Sequence, residues 1–215
     1  MLNDRTIKPL AGGKPKQAVI LIHGLGDSSA GLIELGRIWQ SGLPDAEFLA
    51  CDAPFPCDMA PFGFQWFSAQ DWSPPVILEG VKKAAPYLNE YVDHVIETRQ
   101  LAPCCVALAG FSQGTMMALY AAPRRQQALA GVLGYSGALV GAETLPKERQ
   151  SAPPVMLVHG THDEVIPFKA MAHAEMGLQN ANINVAGLAC PGLGHSIDDT
   201  GLAEGLRFLR RVLGL

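Results

Sequence analysis

The chain has 215 residues, 48% of them hydrophobic and 17% charged, with a formal net charge of −4. That is long enough to bury a full core and too apolar for a disordered chain. The mild acidity and the lack of any basic run argue against a nucleic-acid partner. No apolar run reaches the ~20 residues a bilayer-spanning helix needs, and the opening MLNDRTIKPLAGG lacks the apolar centre of a secretory signal.

A single domain over 1–215 in the cytoplasm is therefore expected. The five cysteines form no zinc spacing and read as free thiols, mostly buried. Short apolar runs alternate with helix-length periodic segments, which predicts an α/β fold with a mostly parallel sheet and helices on both faces. A strand over 18–23 leads into His23-Gly24-Leu25-Gly26-Asp27, where the two glycines let the main chain approach a ligand closely. This loop has neither the G-x-G-x-x-G pattern nor the lysine of a phosphate-binding loop. A helix over 29–40 follows, with Leu32, Ile33, Leu35 and Trp39 on its apolar face, and then a strand over 47–51.

The connection from 54 to 75 holds five prolines and the aromatic cluster Phe62, Phe64, Trp66, Phe67 and Trp72. Either these rings pack the loop down or they wall a pocket, as long loops often do. On the pocket reading, Trp66, with Phe64 and Gly24, borders the substrate. A helix over 79–98 comes next, and Pro86 is expected to kink or restart it. A strand over 105–109 runs into Gly110-Phe111-Ser112-Gln113-Gly114, and a short helix over 113–121 leaves it. Strands over 129–135, 155–159 and 183–189 and helices over 169–179 and 201–213 complete the alternation.

G-x-S-x-G alone is a weak signal. Between an apolar strand and a helix it describes a sharp turn whose small flanking residues leave the serine projecting at the top of the sheet. A serine that merely caps the helix is the bland alternative. A serine hydroxyl becomes a useful nucleophile only when a base takes its proton. In α/β-hydrolases the chain order is serine, acid, histidine. Asp163 lies just past the strand over 155–159, and His195 lies in a glycine-rich loop before the last helix. Both loops are expected at the edge that carries Ser112.

His162 is the main rival base, but its position next to Asp163 makes the imidazole–carboxylate geometry awkward. Glu164, Asp198 and Asp199 rival Asp163, and the Asp198-Asp199 pair suits the start of the last helix better. The spacing of His159, His162, Asp163 and His173 matches no metal pattern. The oxyanion donors are expected to be the backbone N–H groups of Gln113, which follows the nucleophile, and Leu25, in the loop after the early strand. Only the backbone of Gln113 is implicated, so its side chain is expected to matter less.

HGLGD at 23–27, GFSQG at 110–114, HGTHDEVIP at 159–167 and GLGHSID at 192–198 together resemble the phospholipase/carboxylesterase family of α/β-hydrolases, which includes acyl-protein thioesterases. The resemblance implies a Ser112–Asp163–His195 triad, no cofactor, no metal and no large cap domain. It also implies hydrolysis of a small-molecule ester or thioester. The run Gly63-Phe64-Gln65-Trp66-Phe67 looks more like the bacterial esterase branch than the protein-depalmitoylating one. The expected activity is a serine carboxylesterase for small to medium acyl chains. The alternatives are a thioesterase or lysophospholipase for long chains and, in another class, a catalytically silent hydrolase-fold binding module. Oligomeric state stays open, a homodimer included.

Overall fold

The computed structural model describes residues 2–215; Met1, the first residue of the expected domain, lies outside them. In chain order the elements are β1 (Asp4–Ile7), β2 (Gln17–Ile22), α1 (Ser29–Trp39), β3 (Ala46–Cys51), β4 (Phe55–Pro56), β5 (Phe64–Gln65), α2 (Pro74–Arg99), β6 (Val106–Phe111), α3 (Gln113–Ala121), β7 (Gly131–Tyr135), α4 (Leu145–Glu148), β8 (Val155–Gly160), α5 (Lys169–Asn180), β9 (Val185–Cys190) and α6 (Asp199–Val212). Seven strands form one sheet in the order β1-β3-β2-β6-β7-β8-β9, and β4 and β5 form a separate hairpin. All neighbours in the large sheet are parallel except β1, which runs antiparallel to β3.

The central strands read as unbroken apolar runs because both faces of the sheet are covered. Every residue of β2 is buried, and successive residues serve opposite layers. Ala18, Ile20 and Ile22 belong to the apolar layer that also holds Val81 and Leu88 of α2, Met117 of α3 and Leu178 of α5. Val19 and Leu21 belong to the opposite layer, with Leu32 and Ile33 of α1 and Phe208 and Leu209 of α6. The period-2 alternation of the strand thus divides the core into two layers.

The six long strands and four of the five long helices lie close to their expected ranges; α2 is the exception. Three short elements were not expected: β1, the β4–β5 hairpin and α4. β1 is an edge strand of partly exposed residues, Asp-Arg-Thr-Ile, with no apolar run to reveal it. The hairpin strands have two residues each and α4 has four, too few for a period to show.

The reading of α2 needs correction at two points. It begins at Pro74, five residues earlier than expected, because Pro74 and Pro75 occupy the first turn, where a missing N–H costs nothing. It also runs through Pro86 as one assigned helix. Pro86 and Lys82, whose carbonyl loses its helical donor, are both on the exposed side, where water can replace the bond.

Strand order reverses direction between β2 and β6. In open α/β sheets the crevice beyond the carboxyl ends of the strands at such a switch point is where ligands bind. Here that crevice is bounded by the loop after β2 and the turn after β6. Among the described residues no helix is long and apolar enough to cross a membrane.

Candidate active site

Ser112 stands between β6 and α3 with φ 55° and ψ −116°, a conformation L-residues rarely adopt. Holding it costs ~1–3 kcal/mol, which the surroundings must offset. The Ser112 N–H donates to the Tyr135 carbonyl at 2.9 Å, and Met116 N–H donates to the Ser112 carbonyl at 3.2 Å. The Thr115 hydroxyl lies 2.8 Å from both the Gly110 and Tyr135 carbonyls, tying the turn to β7. The flanking glycines are needed for space. A Cβ on Gly114 would collide with the Ile22 carbonyl, and one on Gly110 would collide with the backbone of Gly114.

Asp163 follows β8 with its side chain fully buried. Its Oδ1 accepts from the N–H groups of Val165 (2.9 Å) and Ile166 (2.8 Å). Its Oδ2 lies 2.8 Å from Nδ1 of His195. Burial pushes the carboxyl pKa up, but the bonds from His195, Ile166 and Val165 outweigh it and hold the group below the usual aspartate range. An ionised carboxylate accepts the Nδ1 proton, so Nε2 of His195 is left free to act on a hydroxyl. His195 is 18% exposed, and its ring lies 4.8 Å from that of Phe111, the residue before the serine.

Ser112 and His195 line one cavity of about 210 Å³ together with Gly24, Leu25, Asp27, Phe111, Trp72 and Val165. No hydrogen bond joins Ser112 to His195 in this arrangement; they meet as walls of the cavity. Such bonds are often long in free enzymes and tighten when substrate binds.

The rivals fall elsewhere. His162 is exposed and pairs with the Thr161 hydroxyl, and Asp198 caps α6 by accepting from Gly201 N–H at 2.7 Å. Among the described residues no cluster of three or more His, Cys, Asp or Glu side chains is placed to hold a metal ion.

The loop after β2 brings Gly24 and Leu25 to the cavity. Neither the Leu25 N–H nor the Gln113 N–H is taken up by another backbone carbonyl. Gln113 is the first residue of α3, where N–H groups lack helical partners. The loop is held by the hairpin: Gly26 N–H donates to the Phe64 carbonyl and Phe64 N–H to the Asp27 carbonyl, both at 2.9 Å. His23 fastens it from below. Its Nε2 accepts from Ala53 N–H at 2.9 Å, so the Nδ1–H donates to the Gly24 carbonyl at 2.6 Å. Burial is the largest influence on this imidazole and lowers its pKa, keeping it neutral.

Two expected pocket rings are corrected. Trp66 is 0% exposed and sits in the core, its indole N–H donating to the His23 carbonyl at 3.1 Å. Phe64 does not line the cavity that holds Ser112; it braces the loop after β2 through its backbone. Trp72, 47% exposed, is the aromatic wall instead. The side chain of Gln113 also has a task the motif did not indicate. It donates to the Phe67 carbonyl at 2.9 Å and accepts from Trp66 N–H at 3.2 Å, bolting the 66–67 segment to the elbow.

A larger apolar groove of about 730 Å³ adjoins the cavity, with Trp72 and Val165 in the wall of both. Ile77, Leu78, Met116, Leu139, Val140 and Ile166 supply most of its apolar lining.

This sheet, with its strained serine elbow and buried Asp–His pair at the switch point, defines an α/β-hydrolase without a large cap domain. Comparison with known proteins agrees. Residues 7–213 match the model of the phospholipase/carboxylesterase family, and the chain belongs to that family. It is 28% identical to acyl-protein thioesterase 1 of Gibberella zeae over 99% of this chain and 98% of that one. It is 29% identical to esterase YpfH of Escherichia coli over 99% and 90% of the respective chains. Among solved structures, esterase PE8 superposes with a TM-score of 0.95 at 34% identity, covering 99% of both chains. The protein is thus a hydrolase of esters or thioesters.

Proposed function

We propose that this chain is a serine carboxylesterase acting on esters of small to medium acyl chains through an acyl-enzyme. The observation that carries the reading is the 2.8 Å bond from His195 Nδ1 to a buried, ionised Asp163, at the edge of a cavity that also holds the strained Ser112. In the first step His195 Nε2 accepts the Ser112 proton as the hydroxyl oxygen attacks the ester carbonyl. The N–H groups of Leu25 and Gln113 stabilise the oxyanion. His195 then returns the proton to the leaving alcohol. In the second step water attacks the acyl-serine with the same histidine as base and releases the carboxylic acid.

A specific feature favours a second reading, a thioesterase or lysophospholipase for long chains. The apolar groove continues from the catalytic cavity past Trp72 and Val165 and is large enough for an extended acyl chain. The names of the fungal thioesterase relatives are consistent with that reading. A series of p-nitrophenyl esters from two to sixteen carbons, with matching thioesters, separates the two. A kcat/KM maximum at short or medium chains supports the first, and a maximum at long chains the second. Ser112→Ala is expected to lower kcat about a million-fold, the scale of nucleophile loss in serine hydrolases. Wild-type turnover in that variant, or failure of a fluorophosphonate to label Ser112, would remove the serine mechanism.

A further inference from the structure

His159 is the last residue but one of β8, four positions before Asp163, and is 2% exposed. Its Nε2 lies 2.8 Å from the Ile166 carbonyl and 3.3 Å from Asp163 Oδ2. Both neighbours are acceptors, since a carbonyl oxygen cannot donate and Asp163 is held ionised. Nε2 must therefore carry the hydrogen, which goes to the Ile166 carbonyl with the carboxylate close beside it. The ring is held in place by Phe168, which meets it edge-on with centroids 6.0 Å apart.

Asp163 Oδ1 takes two backbone N–H groups and Oδ2 takes His195, with His159 Nε2 3.3 Å from the same oxygen. The Ile166 peptide closes the ring: its N–H donates to Asp163 and its carbonyl receives His159.

We infer that His159 is a positioning residue that, through the Ile166 peptide, sets the orientation of Asp163 toward His195. This rests on the serine-triad reading above. The physical basis is a shared peptide. His159 holds the Ile166 carbonyl, the Ile166 N–H holds Asp163 Oδ1, and the His159 ring lies against Oδ2, so the carboxylate is kept turned toward the imidazole. Removing His159 frees the Ile166 peptide and leaves Asp163 less fixed.

The other ionisable groups at this edge are Asp27 across the cavity, His162 and Glu164 in the turn after β8, and Asp198 at the head of α6. His162 is bonded to Thr161, and Asp198 is bonded to Gly201 and Cys190. None of these groups is bonded to His159, so a loss of kcat on its substitution reports on the Asp163–His195 pair.

The test compares His159→Leu, which has no donor, with His159→Gln, whose amide nitrogen reaches a similar position. Both are assayed on p-nitrophenyl butyrate from pH 5 to 9, with melting temperature and fluorophosphonate labelling as fold checks. His159→Leu is expected to lower kcat about fivefold with KM little changed, the scale of one hydrogen bond's net worth, and His159→Gln is expected to restore it. Undiminished kcat in His159→Leu, or an equal loss in both variants, overturns the inference and leaves His159 a packing residue.

A measurement on the wild-type protein needs no variant to fold. Long-range proton–nitrogen NMR of histidine-labelled protein is expected to find His159 as the Nε2–H form, and an Nδ1–H tautomer overturns the inference. Failure of the underlying reading is separable, because only that would let Ser112→Ala keep its turnover.

Discussion

Replacing Asp163 with asparagine exchanges one oxygen for an amide nitrogen without changing shape, and the surrounding donors decide which way the new group turns. Oδ1 accepts from two buried backbone N–H groups, those of Val165 and Ile166. An amide nitrogen there would leave both unsatisfied, at ~1–3 kcal/mol each. The asparagine oxygen must therefore stay on that side, and the NH2 takes the place of Oδ2. It then donates to His195 Nδ1, which forces the ring hydrogen onto Nε2. An Nε2–H cannot receive the Ser112 proton. The same NH2 also confronts His159 Nε2, 3.3 Å from the present Oδ2.

The wrong-tautomer loss known for serine hydrolases is about 10⁴ in kcat, equivalent to ~5.4 kcal/mol of transition-state stabilisation at ~1.36 kcal/mol per tenfold. Stability has its own signature. Asp163 is held below its unfolded pKa of about 4, so its contribution is full above that value and is lost as pH falls through the folded value. The asparagine variant lacks that term and should lose less stability on acidification. The assay is kcat on p-nitrophenyl butyrate from pH 6 to 9, with urea unfolding at pH 7 and pH 3. A folded Asp163→Asn within tenfold of wild-type kcat would refute the tautomer argument.

Gln113→Ala should cost ~2–5 kcal/mol, because it leaves the Phe67 carbonyl and the Trp66 N–H without partners in a buried site. The urea midpoint measures it, and an unchanged midpoint would show that the amide does not hold that segment. His23 is expected to make stability fall below pH 6.5. Burial depresses its folded pKa, so its contribution is present above the unfolded value of about 6.5 and declines as pH drops toward the folded one. Unfolding midpoints between pH 7.5 and 5 should show this slope in wild type and a flatter one in His23→Asn. Equal slopes would place the acid sensitivity elsewhere.

The buried strands were legible because a strand covered on both faces must be largely apolar, and β2, β6 and β8 are, with only Gln17 at the start of β2 and His159 near the end of β8 as polar residues. The serine elbow was legible because it needs glycines at fixed offsets, and their reason, clashes with Ile22 and Gly114, is local to the turn and the strand beside it. Asp163 and His195 could be chosen because the chain order of the site is set by strand order. What the sequence could not determine is which side of an irregular segment faces inward. Phe64, Trp66 and Trp72 are aromatic residues of one loop, yet Trp66 is core, Phe64 braces the loop after β2 by its backbone, and Trp72 walls the cavity. The partners of His159 and the Gln113 amide were likewise decided only by tertiary structure. Periodicity encodes whether a residue is buried, whereas the partner of a buried polar atom depends on where distant segments cross, and no short window of sequence carries that distance.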